Sequence, residues 1–352
     1  MVDLYCKESA NRLMLISLCI IAKDERAYIA GLIQSIAEQS LLLKPYALEL
    51  VVICNGCIDD TAEVARNAME KMFCETKIAN RVVVTRESGK ARSWNLAVHN
   101  VFNPAAEFCI FMDADIQFAN THVLAELIAK LKKDVELAAV SGWPVKDIML
   151  KPRQSLIDRF SLKVSSQTPA PNSVNGSLYA ARTKELRSIW LPVPTPGEDG
   201  FLSAMIHTHG FSQPAQLERI QRADRPTHYF EAHSISGFFQ HERRMTIGTT
   251  INGWICEKMW SEQHSTSAGP VIRDWNENDP AWVSKLVSSK VAGRFWALPT
   301  RLLIWRLYNL RGAEIIKTVG RIPFSIVATW LNIWPCIQAN RALKRQGSAN
   351  IW

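Results

Sequence analysis

Only one acidic residue, Glu314, occurs in the last 68 residues of this 352-residue chain, against eleven Lys and Arg. That stretch carries about +10 of a formal net charge of +8, so residues 1–284 hold about −2. A near-neutral body argues against a nucleic-acid-binding core, since phosphate contacts need a basic surface. No GxxxxGK[ST] and no GxGxxG is present, so the usual kinase and dinucleotide readings lack their phosphate clamps. The N-terminus, Met1-Val2-Asp3-Leu4-Tyr5-Cys6-Lys7-Glu8, has no basic n-region followed by an apolar h-region, which argues against a secretory signal. Eight cysteines are scattered at 6, 19, 54, 57, 74, 109, 256 and 336. Several sit inside apolar runs, where Cys behaves as a small buried hydrophobe, and a reducing cytosol fits them best. Cys54-Asn55-Gly56-Cys57 spells CxxC, but no second CxxC or His pair follows at zinc spacing. There are no repeats and no low-complexity tract. What remains, 47% apolar and 21% charged, is the profile of a folded chain with a substantial core, in one large domain or two ordinary ones.

The first 142 residues alternate two periodicities. Apolar runs at 15–21, 48–54, 81–85, 108–112 and 137–140 read as buried strands. Between them Ile29, Leu32, Ile33 and Ile36 recur at helical spacing, as do Ala62, Ala65, Met69 and Met72 behind a capping-box-like Asp60-Thr61-Ala62-Glu63. A further helix runs through Trp94, Ala97 and Val101, and Asn120 is placed to cap one carrying Val123, Leu124, Leu127, Ile128 and Leu131. Repeated βα units predict an α/β fold: a mostly parallel sheet with helices on both faces. Residues 143–232 are less regular, with Pro-rich breaks at 168–171 and 192–196, a strand at 174–181 and a helix at 197–207 that opens with two acids. Beyond about 233 the pattern is helical, and nine of the twelve tryptophans lie at or after Trp254.

Ligands in such sheets bind beyond the carboxyl ends of the strands. A short polar cluster follows each of the first four apolar runs. These are Ala22-Lys23-Asp24-Glu25, then Asn55-Gly56-Cys57-Ile58-Asp59-Asp60-Thr61, then Ser88-Gly89-Lys90-Ala91-Arg92 with Asn95 a turn later, then Asp113-Ala114-Asp115. Two carboxylates one residue apart at a strand end offer hard oxygen ligands to a divalent cation, which can bridge a diphosphate and offset the charge of a phosphate leaving group. Asp-x-Asp alone is a weak pattern; the apolar run before it is what delivers these acids to the ligand edge. Gly89-Lys90 suits a tight turn that meets phosphate oxygens, and equally an ordinary helix start. Glu198-Asp199, after Pro196-Gly197, suits a helix N-terminus for dipole reasons alone, and equally a general base.

In order, these clusters resemble glycosyltransferase family 2, the inverting family with the GT-A fold, over roughly residues 13–248. Ile21-Ala22-Lys23-Asp24-Glu25 is similar to the family's Pro-Ala-Tyr-Asn-Glu. Residues Val52-Ile53-Cys54-Asn55-Gly56-Cys57-Ile58-Asp59-Asp60-Thr61 resemble Val-Val-Asp-Asp-Gly-Ser-Thr-Asp-x-Thr, with Cys54 in place of a frequent Asp. Gly89-Lys90-Ala91-Arg92-Ser93-Trp94-Asn95-Leu96-Ala97 is similar to Gly-Lys-Ala-x-Ala-Leu-Asn-x-Gly. Asn175-Gly176-Ser177 resembles the small-residue strand entry near the acceptor, and Glu198-Asp199 matches a Glu-Asp pair whose Asp is the usual base. His241-Glu242-Arg243-Arg244-Met245 aligns with the Gln-x-x-Arg-Trp box of processive synthases, with His for Gln and Met for Trp. The missing Trp implies transfer of one sugar.

The resemblance implies a nucleotide-diphosphate-sugar donor, a divalent cation (Mn2+ or Mg2+), and a glycan or lipid-linked acceptor. It implies Asp199 as base, Asp115, Asp113 and His241 toward the metal, and Ala22, Asp24, Glu25, Asn55, Lys90, Arg92, Asp113, Asn175, Glu198 and Arg244 toward donor or acceptor. His228 and His233 are weaker candidates for the part of His241. Two other classes stay open. A sugar-nucleotide nucleotidyltransferase is disfavoured because no Gly-x-Gly-Thr-Arg-like loop follows strand one; a non-catalytic glycan-binding relic predicts loss of acids that are all present.

The expected organisation is a catalytic domain at 1–248, its nucleotide-sugar half at 13–142 and its acceptor half at 143–248, followed by a helical region at 249–352. Within the latter, Arg321 and Arg341 bracket nineteen uncharged residues, long enough to just span a bilayer, though with Pro323, Pro335 and Asn332 in them. The basic charge and Trp296, Trp305, Trp330, Trp334 and Trp352 favour contact with an anionic membrane at its cytoplasmic face. Arg301, Arg306 and Arg311 do not share one helical face. A helical cap on the catalytic domain is the alternative.

Overall fold

The computed structural model describes residues 13–76, 78–150, 153, 155, 171–231, 235–262, 265–303 and 322–346. The expected break at 168–170 and His233, Trp305, Arg306, Arg311, Arg321 and Trp352 lie outside them.

Seven strands form the main sheet in the order β3-β2-β1-β4-β8-β6-β9. They are β1 (Met14–Ala22), β2 (Tyr46–Asn55), β3 (Ala79–Thr85), β4 (Ala106–Asp113), β6 (Ala139–Ser141), β8 (Leu178–Arg182) and β9 (Ile220–Arg222). A small sheet joins β5 (Gln117–Phe118), β10 (His228–Phe230) and β7 (Pro144–Lys146). All pairings of β1 to β4 are parallel; β8 alone runs against its neighbours in the main sheet. The expected mostly parallel α/β architecture is therefore the one observed.

The central strands are apolar throughout because both faces are covered. In β1, Ile16, Leu18 and Ile20 meet α1 (Ile29–Ala37), α2 (Thr61–Phe73) and α4 (Val123–Lys133), while Cys19 and Ile21 join the opposite core. That second core contains Trp94 of α3 (Lys90–Leu96) and Phe201 of α6 (Glu198–His207). It also takes in the C-terminal helices α7 (Ile235–Ser261), α8 (Gly269–Asn278), α9 (Trp282–Val291) and α10 (Ile322–Gln346). The short α5 (Thr183–Arg187) follows β8. Residue 248, where the sequence divides catalytic from C-terminal region, lies inside α7, and the helices after it share the core of the sheet's second face.

Several local expectations shift. Asp60 stands at the N-cap of α2 but its side chain makes no cap bond; Asp59 Oδ1 accepts the Thr61 N–H at 3.0 Å instead. Phe73, not Met72, completes the buried stripe of α2, with Ala62 and Met72 partly covered. Asn120 does not cap α4; His122 stands at the N-cap, and Asn120 Oδ1 accepts the His122 N–H at 2.8 Å in a turn before it. The helix after β3 widens into a π-turn at Ala97–Val101. The strand expected at 174–181 begins only at Leu178, because Asn175 donates its N–H to Ser141 Oγ (2.8 Å) and its side chain accepts the Ser177 N–H (3.0 Å), which turns the chain out of the ladder.

Among the described residues no helix is long and apolar enough to cross a membrane. The helix α10 packs inward through Asn332, Cys336, Ala339 and Leu343.

Candidate active site

The order β3-β2-β1-β4 reverses direction at β1, which opens a crevice at the carboxyl ends of β1 and β4. Register places Ala22 beside Cys54 and Ile21 beside Asp113, so the polar clusters after β1, β2 and β4 share one edge. Lys90, Asp113, Gly176, Glu198 and Asp199 line the crevice over Ile21, Trp94 and Tyr179. Its floor is aromatic: Trp94 Nε1–H donates to Tyr179 Oη at 2.6 Å, and Phe111 stacks on both rings.

Lys90 joins the two acidic groups of the crevice. Its Nζ lies 2.6 Å from Asp113 Oδ1 and 3.2 Å from Glu198 Oε1, and donates to the Gly176 carbonyl at 3.0 Å. Burial works against the ammonium, but Asp113 and Glu198 outweigh it and hold its pKa above the ordinary lysine value. Burial raises the pKa of Asp113, and the Lys90 charge opposes that rise. Asp199 is raised to about 6, first by burial and then by the neighbouring Glu198. The α3 N-terminus that carries Lys90 is bolted to β2 by Asn55, whose Oδ1 accepts the Gly89 N–H (2.7 Å) and the Ser93 hydroxyl (3.1 Å).

The Glu198-Asp199 pair opens α6 after Gly197, which sits at φ 68°, a conformation that favours glycine. Gly176 is needed for a different reason. A Cβ there would lie 3.3 Å from both Glu198 Oε1 and Asp199 Oδ2.

The loop before α6 is held by asparagines from three helices. Asn95 pairs with both the N–H and the carbonyl of Leu191. Asn276 donates to the same carbonyl and accepts from the Val193 N–H. Asn252 donates to the Gly197 carbonyl at 2.6 Å and accepts from Thr195 Oγ1 at 2.9 Å. One turn earlier on α7, Gly248 lets the helix approach: a Cβ would stand 2.9 Å from the Pro196 carbonyl. Asn252→Ala strips two partners from a buried loop, and we expect it to cost about 1–3 kcal/mol in urea unfolding. Among these clamps only Asn95 was a sequence candidate. The remaining signal was faint, a Gly and an Asn four apart on the tail helix.

The other expected residues distribute as follows. Ala22 is buried at the end of β1 and accepts the Cys57 thiol through its carbonyl. Asp24, at φ 56°, accepts the Ile58 N–H at 2.7 Å, and this bond with the neighbouring Lys23 keeps its pKa low. One ligand atom each of Asp24, Cys57 and Asp59 lies within 4.8 Å of the others, but both carboxylates already accept backbone N–H groups of that loop. Asp115 is exposed after β4. The Glu25 carboxyl is raised to about 7, by burial first and then by the charges of Asp115 and Asp113. Arg92 is exposed and pairs with Glu87 at 2.9 Å rather than with the crevice acids. His228 is fully buried, 2.7 Å from Ser177 Oγ, and burial lowers its pKa to about 3, so it stays neutral beneath the 175–177 turn. His241 and Arg244 lie on α7, half-buried and exposed respectively.

A model of the Glycosyl transferase family 2 family matches residues 17–202. The chain is 24% identical over 243 residues to a 4,4'-diaponeurosporenoate glycosyltransferase of Staphylococcus haemolyticus, covering 68% of this chain and 60% of that protein, so it spans less than two thirds of that relative's length. Among solved structures it is similar to a mannosyltransferase from Pyrobaculum calidifontis in complex with GDP-Man and Mn2+, at 18% identity and TM-score 0.49, with 92% of this chain and 88% of that one covered. It is also similar to a glucosyl-3-phosphoglycerate synthase from Mycobacterium tuberculosis in complex with Mn2+, UDP and glucosyl-3-phosphoglycerate, at 19% identity and TM-score 0.45, covering 68% and 80%.

Proposed function

Because the chain belongs to glycosyltransferase family 2, whose model matches more than half of it, we propose that it moves one sugar from a nucleotide-diphosphate sugar to a glycan or lipid-linked acceptor, with inversion. The observation that carries this reading is Lys90. One ammonium reaches both the strand-end acid Asp113 and the pair that contains Asp199, so a donor site and a base stand on opposite sides of one cation.

Asp199 accepts the proton of the acceptor hydroxyl while that oxygen forms its bond to the anomeric carbon. The bond from that carbon to the diphosphate oxygen breaks on the opposite face, and the pair of electrons leaves with the nucleotide. A carboxylate raised to about 6 is ionised at neutral pH yet basic enough to take that proton. Glu198 holds Lys90 in place, and Lys90 faces the developing charge on the diphosphate side. The Asp24 and Asn55 loops border the nucleoside end of the crevice.

The residues present fit a divalent cation. Glu25, Asp113 and Asp115 would supply hard oxygens; the carboxyl of Glu25 is raised to about 7, first by burial and then by the charges of Asp115 and Asp113, and a bound cation would relieve that crowding of charge. When bound, Mn2+ or Mg2+ supplies charge neutralisation at the diphosphate. His241 is kept as a further candidate ligand and Arg244 as a candidate donor or acceptor contact, on their family positions. The described helices after residue 248 are read as a support for the loop that carries the base, through Asn252 and Asn276.

The test is calorimetric titration of a nucleoside diphosphate in the presence of Mn2+. We expect Asp115→Ala and removal of the ion by chelator each to weaken binding about 100-fold or more. Unchanged binding in both overturns the metal-held donor.

A further inference from the structure

We infer that the outward face of α10 is a docking surface for an anionic lipid bilayer. The inner face of α10 is fixed to the protein. Asn332, Cys336, Ala339 and Leu343 are buried, Asn332 donates to the Leu302 carbonyl at 2.9 Å, and Asn340 bonds the backbone of Phe295 and Ala297. The opposite face carries Trp330, 72% exposed, and Trp334, 51% exposed, one turn apart. Arg341 and Lys344 follow on the same side, all four within a wedge of about 80° at 100° per residue. Lys344 reaches Phe295, 89% exposed, with its Nζ 5.9 Å from the ring centroid. No acid occurs anywhere in α10.

Large indole surface in water is costly, and Trp gains most at the boundary between headgroups and acyl chains. Cations beside it add attraction to anionic headgroups. The combination specifies an in-plane contact, since no described helix is long and apolar enough to span. A second copy fits the basic end of the face poorly, because a two-fold contact centred there would bring the Arg341 and Lys344 charges of both copies together with no acid on α10 to offset them. The position is also apt. Cys336 of α10 shares a core with Ile247 and Ile251 of α7, either side of the Gly248 that seats the loop before Asp199, so the face lies one helix away from Asp199. That last link rests on the proposed function; the docking itself does not.

The experiment is flotation of the full chain with phosphatidylcholine vesicles, with and without phosphatidylglycerol, at low and high salt. We expect binding to the anionic vesicles at low salt and release at high salt. Trp330→Ala/Trp334→Ala should weaken it about tenfold or more, and Lys344→Ala about fivefold, the equivalent of ~1 kcal/mol per surface cation. Both variants should keep wild-type thermal unfolding and wild-type hydrolysis of a soluble nucleotide sugar, which separates loss of docking from loss of the site. Failure of the wild type to float with anionic vesicles overturns the proposal, and so does equal flotation of the double Trp variant. A vesicle-free dimer that the Trp substitutions dissolve overturns it in favour of self-association, and equally tight capture of a single-stranded oligonucleotide does so in favour of nucleic acid.

Discussion

Asp199→Asn is expected to lower sugar transfer by about 10²–10⁴-fold, the range a positioned general base contributes. Donor binding should stay within about threefold of wild type, because the substitution is isosteric and Asp199 lies on the acceptor side of Lys90. The acid limb of the pH profile is the sharper readout. Asp199 is raised to about 6 by burial and Glu198, so wild-type kcat/KM should fall as pH drops through about 6 and the base takes a proton. The Asn variant has no such proton to take, and its residual rate should lack that limb. Glu198→Gln is the control. Glu198 is engaged with the Lys90 ammonium, whereas Asp199 is held by backbone N–H groups, those of Gly200 and Gly176. The Gln variant should keep a limb, moved to lower pH, because Glu198 no longer raises the Asp199 carboxyl. Transfer measured by release of free nucleotide across about pH 5 to 8 decides between the two carboxylates.

Lys90→Met should have the second largest effect, because it removes the counter-charge of three acids at once. Asp113, Glu198 and Asp199 all hold Lys90 protonated. Without it their repulsion is uncompensated, and each carboxyl takes up a proton more readily. We expect a loss of about 2–3 kcal/mol in urea unfolding at neutral pH. That is below the usual cost of breaking a fully buried pair, because the Lys90 side chain is 31% exposed and partly screened. The sign with pH follows. The folded-state carboxyl pKa values rise in the variant, so its deficit is present above them and shrinks as pH falls and the acids neutralise. Transfer should drop about 10²–10³-fold, as when one preorganised donor to developing charge is lost, and the acid limb should move to higher pH. A variant with wild-type stability and an unmoved limb would remove Lys90 from its place between donor and base.

The polar clusters were legible in the sequence because each stands directly after an apolar run. In a parallel sheet that placement has one structural meaning, the ligand edge, and Ala22, Asn55 and Asp113 are indeed brought to it by the β1–β2 and β1–β4 registers. The α/β class followed from the same alternation. Residue pairs with no local signature were not legible. Arg92 sits two residues from Lys90 and reads as its companion, yet the helical turn points it outward to Glu87. Asn55 reads as a ligand contact, and its carbonyl oxygen is also the bolt that places Lys90. The turn at 175–177 reads as strand because its residues are small; only the Ser141 bond across the sheet shows why it turns.

The tail shows the same division most clearly. Its composition alone determined that the basic charge and most of the tryptophans lie apart from the crevice acids, and its helical period was plain. Composition does not say which way a helix faces. Packing decided that Asn252, Gly248 and Asn276 turn inward to hold the loop before Asp199, while Trp330, Trp334 and Lys344 turn outward. The physical reason is range. Periodicity and capping act over a few residues and are written in their order, whereas the bond from Asn252 to Gly197 joins positions 55 apart and exists only once the core has closed.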